Sequence, residues 1–285
     1  MAYSIFAGTM ADMNWIEVQK SIERGAIALI PSGVIEQQGP HLPTGTDVYG
    51  SHLICNKMRS ELNKSHIECL ITPPFYWGIN HVTGAFPGSF TSRKVTVKYV
   101  LLDMFECLHR WGIQHVFLVD IHGDQANGAA LYEAIVEGRK NYGLDIRSVI
   151  SNWIADDLGL DKENENFLVF DVPLPDLPES EYLDIHAGES STAGMLKYFP
   201  KLVDREVADK LEPTNLSLED LKLWHSGGEI ARNMTPQGYF GAPAAYSHLN
   251  IDEIDFYEGF AKYASLEMRH YLNQTRMRDI EDGIS

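Results

Sequence analysis

Ala26-Ile-Ala-Leu-Ile-Pro31-Ser-Gly33-Val-Ile-Glu36-Gln-Gln38-Gly39-Pro40-His41-Leu-Pro43-Thr-Gly45-Thr-Asp47 is the stretch whose reading decides the fold. Ala26 to Pro31 is a short continuous apolar run, the pattern of a strand buried on both faces. The segment after it carries Glu36, His41 and Asp47 on a backbone stiffened by prolines and opened by glycines. A solvated surface loop has no need of that combination. Hard divalent cations do need oxygen and imidazole donors held in place before they bind. The spacing predicts a helix over Val48 to Leu62, with Asp47 near its start, where it can cap the helix, bind a metal, or do both.

Outward from this stretch the same alternation continues. Cys69-Leu-Ile-Thr72 predicts a second strand, closed by Pro73-Pro74. Val97, Val100, Leu101, Met104, Phe105 and Leu108 recur at helical spacing between Val95 and Trp111, and Gly112 ends that helix. His115 to Asp120 predicts a third strand, Ala126 to Tyr142 a helix, and Ile146 to Trp153 a fourth strand. Strand and helix in this order imply βαβ units and a mostly parallel sheet covered on both faces, an α/β fold. The segment at about 155–183 is acidic and proline-bearing, and it predicts an irregular excursion bordering the active site within a single domain spanning 1–285. A helix is expected after His186, ending near Pro200, and a last long one from Ile251 to about Leu272 with Phe256, Phe260, Tyr263, Ala264 and Met268 on one face.

Composition narrows the function classes. The chain has 285 residues, 44% of them hydrophobic, and a formal net charge of −17. That charge argues against nucleic acid and against anionic membrane surfaces as partners. No apolar run approaches the roughly 18 residues of a membrane span, and the N-terminus lacks the basic flank of a secretory signal. The three cysteines, Cys55, Cys69 and Cys107, are widely spaced, which predicts reduced thiols in a cytoplasmic protein.

Ligand sites in parallel sheets lie outside the carboxyl ends of the strands. Both chemically dense segments fall there: Glu36 to Asp47 after the first strand, and Asp120-Ile-His122-Gly-Asp124-Gln-Ala-Asn127 after the third. His122 reads as a metal ligand in preference to a turn residue. Asp124 reads equally as a ligand or as the cap of the helix starting near Ala126.

These two segments resemble the signature of the creatininase (creatinine amidohydrolase) family, Glu-Gln-His-Gly-x-His with a following Asp, then Asn-Gly-His-x-Glu-Asn. Glu36, Asp47 and His122 match; Gln38 stands where the family has histidine, Asp124 where it has Glu, and Asp120-Ile121 replace Asn-Gly. Further along, Trp77-Gly78-Ile-Asn80 with Phe86-Pro87-Gly88-Ser89 resembles a family loop, and Ser151-Asn-Trp153 a strand end bearing a substrate-facing tryptophan. Asp184-Ile-His186-Ala-Gly188-Glu189 is similar to the segment carrying the family's catalytic histidine, and Pro200 to Asp204 and Gly238 to Pro243 also fit.

The resemblance implies a three-layer α/β/α sandwich, a homo-oligomer (a hexamer in many members), and a metal-dependent amidohydrolase acting on a small non-peptide amide, cyclic or formyl. It implies a divalent metal, zinc or manganese, at one or two ions per chain. Glu36, Asp47 and His122 would hold the first, and Gln38, Asp47 and Asp124 would form a second, oxygen-only set. Such a set suits manganese or magnesium better than zinc, or stands empty. His41 matches a family histidine that is not the replaced ligand. The metal would polarise the amide carbonyl and activate a water, His186 would shuttle the proton, and Trp153, Trp77 and Ser89 would shape the pocket. Two rival readings remain. Gln38, Ile121 and the Ser190-Ser191-Thr192 stretch favour a catalytically altered relative that binds a metal or small ligand. A dinucleotide enzyme is disfavoured, because no Gly-x-Gly-x-x-Gly follows any predicted strand.

Overall fold

A computed structural model describes residues 3–157, 160–172, 181–249 and 255–281. In chain order the main elements are α1 (Trp15–Glu23), β1 (Ile27–Ser32), α2 (Thr46–Lys64), β2 (Cys69–Ile71), α3 (Lys94–Trp111) and β3 (His115–Asp120). They continue with α4 (Gln125–Tyr142), β4 (Asp145–Ser151), α5 (Asn152–Asp157), β5 (Phe167–Phe170) and α6 (Glu189–Tyr198). The last four are α7 (Arg205–Ala208), α8 (Leu218–Trp224), α9 (Gly228–Met234) and α10 (Phe256–Glu281).

The five strands form one sheet in the order β2-β1-β3-β4-β5, with every pairing parallel. Successive side chains of a strand point to opposite faces, so β1 feeds both layers. Ala28 and Ile30 pack with Val97, Leu101, Phe105, Ala134 and Ile135 of α3 and α4. Ile27 and Leu29 pack with Ile54 and Met58 of α2 and with Phe260, Ala264 and Met268 of α10. Helices therefore cover both faces, and the architecture is the expected three-layer α/β/α sandwich.

Boundaries differ from the sequence expectation in three places. Pro31 lies inside β1, which runs on to Ser32 because the Pro31 carbonyl still accepts a hydrogen bond from Phe75 N–H at 2.9 Å. The fourth strand stops at Ser151, opposite Phe170, so Asn152 and Trp153 start a short helix instead of ending the strand. The acidic segment is less irregular than its composition suggests: Phe167 to Phe170 pair with Ser148 to Ser151 and add the fifth strand at the sheet edge. Residues 158–159 and 173–180 of that segment lie outside the described residues, as do 250–254 at the expected start of the last helix.

The strand order has a direct consequence for function. From β1 the chain moves to β2 on one side of β1, then returns to β3 on the other. The loops leaving β1 and β3 diverge there, which opens a crevice at the carboxyl edge of the sheet, the point where open parallel sheets take ligands. Glu36 follows β1 and His122 follows β3.

Candidate active site

Three side chains converge at that crevice. Among the described residues, Glu36, Asp47 and His122 form the group of acidic and imidazole donors spaced to hold a metal ion, with one ligand atom of each within 4.8 Å of the others. His122 Nδ1 stands 3.2 Å from Glu36 Oε1 and 3.2 Å from Asp47 Oδ2. All three side chains are almost wholly buried.

Local structure explains the convergence. A Cβ on Gly33 would come within 2.8 Å of the Asp47 carbonyl carbon, so glycine there lets the start of α2 close onto the end of β1. The loop between them is pinned by Glu36 N–H donating to Thr44 O at 2.9 Å and by Asn80 Nδ2 donating to Ile35 O at 3.1 Å. Asp47 lies in the first turn of α2 but does not cap it; Gly45 is the cap residue and provides no side-chain bond. The helix dipole favours a carboxylate in that turn, and the carboxylate faces the crevice. Ile121, which replaces the glycine of the family pattern, is accommodated by Gly50, where a Cβ would lie 2.7 Å from Ile121 Cδ1.

Neighbouring groups set the donor atoms. His122 Nε2–H donates to the Ile79 carbonyl at 3.0 Å, which leaves Nδ1 to face the two carboxylates. Thr83 Oγ1–H donates to Glu36 Oε2 at 2.6 Å, leaving Oε1 toward His122. Asp47 Oδ2 is buried and finds no hydrogen-bond donor among the described residues, since His122 Nδ1 lies outside hydrogen-bond geometry. Burial pushes the Asp47 carboxyl up, and repulsion from Glu36 adds to it, to about 6. Burial would also raise Glu36, but the charges of His122 and His186 outweigh it and hold its carboxyl down at about 2. For His122 burial works downward, and the Glu36 charge with the Asp47 carboxylate overcomes it, so the imidazole is raised well above its ordinary value. Two carboxylates are thus buried side by side, and one of their oxygens has no hydrogen-bond donor among the described residues. An orphaned carboxylate oxygen beside a directed imidazole nitrogen fits a divalent cation.

Gln38 and Asp124, expected as further ligands, are differently engaged. Gln38 Nε2 donates to Glu36 Oε1 at 3.2 Å and to Asp47 Oδ1 at 3.0 Å, so the amide presents protons, not its carbonyl, to the carboxylates. Asp124 is the cap of α4: Oδ1 accepts from Ala126 N–H at 2.9 Å and Asn127 N–H at 3.2 Å. Its Oδ2 accepts from His81 N–H at 2.7 Å and Val82 N–H at 3.2 Å. The capping alternative therefore describes Asp124. Its side chain is one methylene shorter than Glu and is tied to backbone on both oxygens.

His186 faces the same crevice from an unrelated segment. The backbone of His186 pairs antiparallel with Phe240, and Ala187 after it adopts φ +51°, a left-handed conformation costly for alanine. Its Nε2–H donates to the Gln37 carbonyl at 2.9 Å, leaving Nδ1 3.9 Å from Glu36 Oε1. His41 braces this segment: its Nε2–H donates to Thr192 Oγ1 at 2.8 Å, and that hydroxyl donates to the Gly188 carbonyl at 2.6 Å. Burial holds the His41 imidazole down at about 4, so it is neutral.

The trio and His186 line a cavity of about 160 Å³, with Gln38 and Asp124 on its wall. Trp77, Ser89 and Trp153 do not line it. Trp77 and Trp153 are about half exposed, and Ser89 Oγ accepts from Gln37 N–H at 3.0 Å, bracing the loop that carries Glu36. The aromatic wall is Trp224, at the end of α8, whose ring centroid lies 5.9 Å from that of His186 and whose Nε1–H donates to Thr235 Oγ1. Trp224 was not expected from the sequence. The available signal was Trp224-His225-Ser226-Gly227-Gly228, an aromatic–histidine pair before two glycines with positive φ.

The chain resembles several known proteins. A protein named mycofactocin precursor peptide peptidase from Mycobacterium ulcerans (strain Agy99) is 26% identical over 221 residues, 75% of this chain and 74% of that protein. A creatinine amidohydrolase from Pseudomonas putida is 24% identical over 223 residues, 72% of this chain and 75% of that protein. A crystal structure of creatinine amidohydrolase (creatininase) superposes with TM-score 0.65 at 18% identity, covering 94% of this chain and 97% of that one. A structure of creatininase Mn does so with TM-score 0.65 at 17% identity over 94% and 98%, and a mutant creatininase of Zn-Zn type with 0.65 at 17% over 96% and 99%. The creatininase (creatinine amidohydrolase) family model matches residues 11–250, and the chain belongs to that family.

Proposed function

We propose that this protein is a metal-dependent amidohydrolase cleaving a C–N bond in a small non-peptide amide, cyclic or formyl. The observation that carries the reading is the convergence of Glu36 Oε1, the orphaned Asp47 Oδ2 and the directed His122 Nδ1 at the crevice between β1 and β3. Glu36, Asp47 and His122 would hold a divalent cation, zinc or manganese as in the Mn and Zn-Zn creatininase structures. When bound, that cation supplies Lewis-acid polarisation of the amide carbonyl and activation of water.

The chain's own residues supply the rest. The Ile79 carbonyl keeps His122 in one tautomer, and Thr83 orients Glu36. His186 Nδ1, left open by the bond from Nε2–H to Gln37, takes the proton released by water and returns it to the departing nitrogen. Trp224, Ile185 and Val82 exclude bulk water and bind the apolar part of the substrate. A cavity of about 160 Å³ suits a small amide. The exposed aromatic side chains Trp15, Trp77, Phe90 and Trp111 favour assembly as a homo-oligomer, which we place in the cytoplasm.

A second reading takes the end of a peptide as substrate, and the relative named mycofactocin precursor peptide peptidase favours it. The test is hydrolysis by metal-stripped protein reloaded with zinc or manganese, assayed against cyclic amides, formyl amides and short peptides. Metal-dependent turnover of the small amides is the expected result. Turnover confined to peptides supports the second reading. Bound metal with no turnover of any substrate would identify a catalytically altered relative.

A further inference from the structure

We infer that the site holds one divalent cation per chain, and that the Gln38 amide occupies the carboxylate face a second cation would need. The inference rests on the metal reading above and deepens it.

Asp47 divides its two oxygens. Oδ2 is without a donor and faces His122 Nδ1, while Oδ1 accepts from Gln38 Nε2 at 3.0 Å. The same amide nitrogen donates to Glu36 Oε1 at 3.2 Å. An amide NH₂ has two protons, and here each is directed at a buried carboxylate. The partial positive charge of the NH₂ group thus sits where a bridging carboxylate would offer its second oxygen to a second ion.

A second ion would also need Asp124, and Asp124 has no lone pair left to give. A carboxylate offers about four acceptor positions, and the N–H groups of Ala126, Asn127, His81 and Val82 fill them. Freeing Asp124 would uncap α4 and release the 81–82 turn. His41 is no substitute: it does not line the cavity, and its Nδ1 lies against Gly39, where an added Cβ would come within 2.9 Å of it. A second cation bound through Asp47 Oδ1 and one Asp124 oxygen would have to displace the Gln38 amide from Asp47 and at least one of the four backbone N–H groups from Asp124, and in return would gain no imidazole donor.

The test is elemental analysis of the full-length chain, stripped of metal, reloaded with excess zinc or separately manganese, and desalted. One ion per chain is expected. Two ions per chain would overturn the inference while leaving the metal reading intact, and none would overturn the metal reading itself. Gln38→His alone should stay at one ion, because Asp124 remains tied; a second ion in that variant overturns the role given to Asp124. Gln38→His combined with Asp124→Glu should rise from one ion to two, the longer side chain reaching past the cap. A folded double variant that stays at one would show that these two residues are not the limit. Should the double variant fail to fold, the wild-type and Gln38→His stoichiometries decide.

Discussion

At the amino-terminal edge of the sheet, Asp145 collects His115 Nδ1, Arg139 NH1, Arg147 Nε and Tyr271 Oη at 2.8–3.0 Å. At the carboxyl edge, Glu36 and Asp47 face the imidazoles of His122 and His186 and the Gln38 amide. Both clusters are largely buried and both are built on carboxylates, Asp145 at the start of β4, Glu36 in the loop after β1 and Asp47 in the first turn of α2. The first has more cationic donors than carboxylates and ties β3, β4, α4 and α10 together. In the second, among the described residues, one carboxylate oxygen goes without a hydrogen-bond partner. Buried charge that is fully partnered holds a fold together; buried charge left short is either a defect or a binding site. Its place at the sheet's topological switch favours the second.

The largest effect that can break this contrast is at His122. His122→Ala should remove nearly all bound metal and lower turnover by about 10³-fold, since metal polarisation is worth several kcal/mol. Retention of metal in a folded variant would refute the ligand assignment. His186→Gln should lower kcat by roughly 10²-fold with metal content unchanged. Loss of metal there would move His186 among the ligands.

The amino-terminal cluster should respond in stability and not in activity. Asp145→Asn leaves two guanidinium groups without their carboxylate and should cost roughly 3 kcal/mol, read by denaturant unfolding, with metal content unchanged. Its donors hold the Asp145 carboxyl well below the ordinary value of 3.8, the His115 bond and the Arg147 charge together outweighing burial. A carboxyl depressed in the folded state contributes stability that is present above pH ~3.8 and lost as pH falls toward its folded value. Wild-type stability should therefore fall below that pH more steeply than that of Asp145→Asn. A smaller effect is expected at Asp124. Asp124→Ala removes the α4 cap and the anchor of the 81–82 turn, costing about 2 kcal/mol, without loss of the bound ion. Disappearance of the ion would restore Asp124 as a ligand.

How much of this was legible in the sequence depended on how local the cause was. Ala26 to Pro31 and His115 to Asp120 were readable because a strand buried on both faces must be apolar throughout, and the dense segments after them fell at the sheet edge that parallel order dictates. Asp124 was ambiguous because capping and ligation ask for the same residue type, and only the positions of His81 and Val82 separate them. Trp153 and Trp77 were drawn toward the pocket by motif likeness. Yet β4 stops at Ser151, and Trp77 packs on Phe90 at the surface, so neither faces the cavity. Trp224 was not legible because its place beside His186 is set by α8 and by the pairing of His186 with Phe240, contacts distant along the chain.

The most direct test of the account is a crystal structure grown with zinc, with anomalous scattering used to locate the ion. One peak per chain is expected, about 2.0–2.2 Å from Glu36 Oε1, Asp47 Oδ2 and His122 Nδ1, with Gln38 still donating to Asp47 Oδ1. A peak elsewhere, or none at full zinc excess, would contradict it.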